Sequence, residues 1–135
     1  NEAWTVGGDS YKYIRAAMML RERLRPYVMD QMKLASERGI PPMRPLFFDF
    51  DDDENTAEIE DAFLFGPDLL VAPITKYQAR EREVYLPADC QWVDAWTGET
   101  LDGGSTVTVD APLERIPVFS RNEKLLCLFQ GLYDL

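Results

Sequence analysis

Histidine is absent from the 135 residues of this chain, and its absence removes whole classes of chemistry. Neither a Ser-His-Asp nor a Cys-His nucleophilic site can be housed here, and no imidazole is present to ligate a metal. Cysteine is scarce: Cys90 and Cys127 are the two present, without a CxxC spacing. Two thiols are too few for the disulfide framework of a small secreted domain, so they read as free side chains packing as small hydrophobes. No Asn-x-Ser/Thr acceptor occurs, and a reducing, cytoplasmic setting is the expectation. Bases are outnumbered, 14 against 24 acids, for a formal charge of −10. Nucleic acid and anionic membrane surfaces are therefore not expected as partners, because both require clustered Lys and Arg. No apolar run approaches the ~20 residues of a membrane span. Walker and GxGxxG loops are also missing, so nucleotide binding has no motif and no cofactor is expected. The opening residues, Asn1-Glu2-Ala3-Trp4, carry no Met, no basic region and no apolar stretch. They read as part of a longer chain and not as a signal peptide.

What is present suffices for a packed core. Hydrophobic residues make up 46% of the chain and aromatics 12%, enough for one modest domain or two small half-domains. The first half has a helical pattern. Asp9 or Ser10 is positioned to cap a helix start. Ile14, Ala17, Met18, Leu24, Val28, Met32 and Ala35 recur at helical spacing. Gly39, Pro41 and Pro42 stop the run. Pro26 falls inside it and should kink or split the helix, and the unbroken phase of the stripe favours one long kinked helix. Residues 43–50 are short, apolar and aromatic and predict a buried strand with Pro45 near its start. An acidic loop follows, and Thr56 is placed to cap a short helix to about Phe65.

Beyond Gly66 the composition changes. Residues 69–74, 83–86, 91–96, 106–109, 116–120 and 125–129 predict strands, separated by Pro87, Thr97-Gly98, Gly103-Gly104 and Pro112. Short strands at this spacing suggest a β-sandwich or part of one.

Three features are candidates for chemistry. The acids at 51–54 are conspicuous, but they lack the glycine and the spacing of a calcium loop and read as a solvated loop. Asp49 with a neighbouring acid is the one obvious carboxylate pair for glycoside hydrolysis, although adjacent acids are common at loop starts. Trp4, Trp92 and Trp96 can stack on a sugar ring. Trp92 and Trp96, four apart in a predicted strand, should face one side, where packing of a sheet face competes with sugar binding. On these residues no catalytic, cofactor-binding or metal site is assigned.

Several strings, in order, resemble glycoside hydrolase family 31, the α-glucosidases and α-xylosidases. Asn1-Glu2-Ala3-Trp4 is similar to the family's Glu-Pro-Trp stretch, with Ala3 for proline. Leu20-Arg21-Glu22-Arg23-Leu24-Arg25-Pro26-Tyr27 resembles its Arg-Tyr-x-Leu-x-Pro-Tyr helix, with Glu22 for tyrosine. Gly39-Ile40-Pro41-Pro42-Met43-Arg44-Pro45-Leu46-Phe47 and Phe65-Gly66-Pro67-Asp68-Leu69-Leu70-Val71-Ala72-Pro73 match closely. Val84-Tyr85-Leu86-Pro87, the stretch from Trp92 to Gly98, Ala111-Pro112-Leu113 and Ile116-Pro117-Val118-Phe119 with Arg121 complete the set.

The resemblance implies an α+β fragment. Residues 1–66 would be the last portion of a catalytic (β/α)8 (TIM) barrel: a long helix, strand eight and a short helix. Residues 67–135 would begin an all-β sandwich domain. It also implies a retaining α-glycosidase parent that hydrolyses terminal α-glucosidic or α-xylosidic bonds through two aspartates upstream of this chain, so that the piece alone is inactive. The partners implied are an oligosaccharide or α-glycoside substrate and the rest of the parent chain. Residues 49–52 would lie at the C-terminal end of strand eight, where such barrels build their sites. A piece cut through a barrel exposes apolar faces, so self-association into a homo-oligomer is expected. The alternative is a non-catalytic carbohydrate-binding or structural β-sandwich module.

Overall fold

The computed structural model describes residues 2–134. Asn1, which opens the first of the strings above, lies outside the described residues. The chain is a long helix followed by mostly antiparallel strands, an α+β arrangement.

Helix α1 runs unbroken over Gly8–Arg38, 31 residues, with Pro26 inside it on an exposed face. The expected cap at Asp9 or Ser10 is corrected: Gly7 occupies that position and no side-chain cap bond forms. Gly7 and Gly8 both take positive φ, so the chain turns into the helix through backbone freedom rather than an Asx cap. The stop is as read, with Gly39 left-handed and its N–H donating to Ala35 O at 3.0 Å.

The strand expected over 43–50 is corrected too. Only β1, Met43–Arg44, is extended, and Leu46–Phe48 coils into a 3-10 turn. Pro45, which has no N–H for a ladder, marks the break. The helix expected from Thr56 to about Phe65 is likewise replaced by a 3-10 turn over Glu54–Glu58 and strand β2, Phe63–Phe65. Asp53 caps that turn, its carboxylate accepting from Asn55 N, while Thr56 is buried with its hydroxyl against the carbonyls of Phe50 and Asp53.

The remaining strands are β3 (Leu69–Val71), β4 (Glu81–Leu86), β5 (Gln91–Asp94), β6 (Thr100–Asp102), β7 (Ser105–Asp110) and β8 (Val118–Ser120). Strand β6 falls between the expected strands at 91–96 and 106–109. The strand expected over 125–129 is a 3-10 helix, Glu123–Phe129, because Asn122 caps it by accepting from Lys124 N. Six strands form one antiparallel sheet in the order β1-β2-β3-β8-β5-β6, and β4 pairs with β7. Strands on both sides of Gly66 share the larger sheet, β2 turning into β3 with Phe65 opposite Leu69.

The larger sheet is buried on both faces. Leu64, Leu70, Trp92 and Phe119 point to one side and pack with Val84 and Leu86 of the β4–β7 pair. Leu69, Ala95 and Val118 point to the other side and meet Leu20, Leu24 and Tyr27 of α1, together with Phe129. Double-sided burial explains why Leu69-Leu70-Val71-Ala72 is a continuous apolar run and not an alternating one. Tyr27 fastens the helix to the β2–β3 turn: its hydroxyl donates to Phe65 O at 2.8 Å and accepts from Asp68 N at 3.1 Å. Arg23 adds a second tie, Nη1 donating to Leu128 O at 3.1 Å and also reaching Gln130 O.

Candidate functional site

The acidic loop lies against the turn between β4 and β5 and beside Arg121, the residue that follows β8. A cavity of about 260 Å3 is lined there by Asp49, Asp51, Asp52, Asp53, Cys90 and Arg121, among others. Each inward acid has a structural engagement. Asp49 Oδ2 sits 3.3 Å from Arg44 Nε. Asp53 Oδ2 accepts from the Tyr85 hydroxyl at 2.6 Å and from Ala88 N at 2.9 Å, and Oδ1 accepts from Asn55. Burial alone pushes the Asp53 carboxyl pKa up, but the donors from Tyr85, Ala88 and Asn55 outweigh it and hold the pKa below the ordinary value. Asp51 and Asp52 stay exposed.

Arg121 brings one positive charge into this cavity. Its Nε donates to Pro67 O at 2.6 Å, and its guanidinium lies 5.0 Å from the Phe50 ring centre. Burial pushes the Cys90 thiol up, with Arg121 pulling it partly back. Among the described residues no group of three or more His, Cys, Asp and Glu is placed to hold a metal ion.

The tryptophans separate. Trp92 is fully buried, with Nε1 donating to Pro87 O at 3.1 Å. Trp96 stands edge-on to Phe129 in the other cluster, so the expectation that the two share a face is corrected. Strand β5 ends at Asp94, whose carboxylate accepts from Trp96 N and Thr97 N and turns the chain before the alternation reaches Trp96. Trp4 is 70% exposed.

The most extensive feature is the open side of α1. Tyr11, Ile14, Met18, Met29 and Met32 are exposed along it, opposite the stripe that packs on the sheet. A groove of about 500 Å3 lies between this face and Trp4, lined also by Arg15, Met19 and Arg23. Glu22 and Arg25, ion-paired at 2.6 Å, interrupt the apolar stripe. The periodicity indicated an apolar helix; it does not tell that the helix carries two apolar sides and that the sheet covers one. The roles of Tyr27 and Arg121 at the junctions are not legible in the sequence, because their partners, Phe65 O, Asp68 N and Pro67 O, are distant along the chain.

Residues 39–126 match the model for the glycosyl hydrolase family 31 C-terminal domain. The chain is 39% identical over 127 residues to alpha-glucosidase 2 of Bacillus thermoamyloliquefaciens, covering 94% of this chain and 16% of that protein. It is 37% identical over 127 residues to an alpha-xylosidase of Saccharolobus solfataricus, covering 94% of this chain and 17% of that one. Its fold superposes on a family 31 alpha-xylosidase from a soil metagenome, solved with xylose, at a TM-score of 0.92 and 48% identity, over 96% of this chain and 19% of the other. The chain thus spans less than a fifth of the length of these relatives.

Proposed function

This chain belongs to glycosyl hydrolase family 31, and from that premise we propose that it is the C-terminal part of a retaining α-glycosidase. The parent hydrolyses terminal α-glucosidic or α-xylosidic bonds. Its two catalytic aspartates lie upstream: one forms a covalent glycosyl-enzyme and the other serves as acid and then base. The relatives' activities as an alpha-glucosidase and an alpha-xylosidase support this class.

One observation carries the division of labour. α1 packs on the sheet with one side and leaves a second apolar side uncovered, while relatives of the same fold are about five times longer. α1 would adjoin the catalytic barrel, and the β domain that follows would begin near Gly39 and not at the expected boundary after Gly66, because β1 and β2 pair into the same antiparallel sheet as β3. In isolation the open side supports self-association. A cytoplasmic setting fits the two unpaired thiols, Cys90 and Cys127.

The test is hydrolysis of p-nitrophenyl α-glucoside and α-xyloside by the full gene product and by these residues alone. Turnover by the full product only is the expected result. Turnover by these residues alone would return attention to residues 49–54. No turnover by either, with natural α-glycosides included, overturns the proposal.

A further inference from the structure

Half of the chain's bases sit on one element. Seven of the 14 Lys and Arg lie in α1, with four of the 24 acids, so the helix carries +3 and the remaining residues carry −13. The net charge of −10 conceals a basic pole, and that pole coincides with the side of α1 that the sheet leaves open. Met18, Met29 and Met32 are each more than half exposed there. At 3.6 residues per turn, Arg15, Arg25 and Lys33 fall on the same side as Met18 and Met29. Arg25 and Lys33 are exposed, and among the described residues Arg15 has no ion-pair partner. Glu22 is the one acid on that side, and Arg21 and Arg25 already share it.

A contiguous apolar ridge edged by charge marks an interaction surface, and its chemistry specifies the complement. Thioether and aliphatic carbons need an apolar counter-surface. Guanidinium and ammonium groups drawn out of water with them need carboxylates, because a base buried without a partner is costly. The structure also indicates where that counter-surface comes from. The groove beside the ridge is walled by Ala3 and Trp4, so the chain enters α1 along the edge of the groove. Residues 39–126 match a C-terminal domain, and a relative of the same fold is about five times longer. A segment tethered at this edge meets the ridge at a high effective concentration, which a second copy of the chain does not have.

We propose that the open side of α1 is the docking surface for an acidic, apolar face of the polypeptide that precedes Asn1, with carboxylates of that face meeting Arg15, Arg25 and Lys33. This rests on the reading above that the chain is part of a longer enzyme, and it adds the chemistry of the joint.

The test is made on the full gene product. Peroxide oxidation of Met18, Met29 and Met32 is followed by peptide mass spectrometry, with the urea-unfolded protein as reference. Docking is expected to slow oxidation of all three at least about tenfold. Carbodiimide, which joins an amine to a carboxylate in contact with it, is expected to couple Lys33 to an Asp or Glu upstream of Asn1. Arg15→Lys supplies a second amine on the same side, so coupling is read at two positions. Oxidation as fast as in the unfolded protein overturns the proposal. Protection that fades on dilution also overturns it, since a second copy is then the occupant. Protection without coupling of either amine to an upstream acid refutes the acidic chemistry, and the proposal fails with it. The hydrolysis assay reads the enzyme assignment separately: turnover by a full product whose α1 methionines oxidise freely keeps that assignment and refutes the joint.

Discussion

Substituting Gly66 tests how α1 is held on the sheet. Gly66 has φ +64, and an alanine Cβ there would overlap the Tyr27 hydroxyl, lie 2.7 Å from Tyr27 Cζ and 3.1 Å from Gln31 Cδ. Two costs follow. Holding alanine in the left-handed region costs about 1–2 kcal/mol. Displacing Tyr27 strands Phe65 O and Asp68 N, each worth roughly 1–2 kcal/mol when left unpaired in a part-buried setting. Gly66→Ala should therefore destabilise by about 3–6 kcal/mol in urea unfolding. The mechanism is checked in a Tyr27→Ala background. With the ring gone, only the backbone term of about 1–2 kcal/mol should remain, leaving a coupling of roughly 2–4 kcal/mol. A coupling below about 0.5 kcal/mol would refute the claim that the Tyr27 ring sits over Gly66 and ties helix to sheet.

Asp53→Ala should cost about 1–3 kcal/mol, because Tyr85, Ala88 and Asn55 all lose their acceptor. The Asp53 pKa is lowered in the folded state, so this stabilisation is present above the ordinary carboxyl range and is lost as pH falls through the lower folded value. Wild type and variant should converge in acid, and a gap that is independent of pH counts against the hub. Burial pushes the Tyr27 pKa up to about 12, so the folded chain holds that proton above the unfolded value of 10.0. Stability from this source is complete below pH 10.0 and declines as pH rises toward about 12; Tyr27→Phe should flatten the decline in alkaline unfolding curves. Pro26 is exposed within α1, and Pro26→Ala, which restores an N–H to the helix, should stabilise by up to about 3 kcal/mol. Unchanged or lowered stability in thermal melts would mean that the proline's local geometry is needed for docking α1.

Some of this architecture is legible without coordinates. The long helix and its stop at Gly39 follow from spacing and backbone preference, and most strands after Gly66 follow from apolar runs between turn residues. Those signals are local, so they survive whatever the chain packs against. The mistakes fall where a local pattern met a competing partner. Residues 43–50 look like a strand by composition, but Pro45 lacks a ladder donor and the chain coils after Arg44. Phe63–Phe65 and Glu123–Phe129 exchange their expected states, since pairing with β3 extends the first and the Asn122 cap coils the second.

The sequence by itself determined the charge, the lack of imidazole chemistry, the helix, the succession of short strands and, through its ordered strings, the family. Tertiary structure alone decided which sides of those elements are occupied. Trp92 is sealed in one core while Trp96 serves another, and Asp53 is a hydrogen-bonded hub while Asp51 and Asp52 face solvent. Buried Arg44 and half-buried Asp49 meet as an ion pair at 3.3 Å without a hydrogen bond. Periodicity reports that a side chain is apolar or charged. Which atoms lie within 3–4 Å of it is set by contacts between segments far apart in the chain, and burial and hydrogen-bond energies act only over that range.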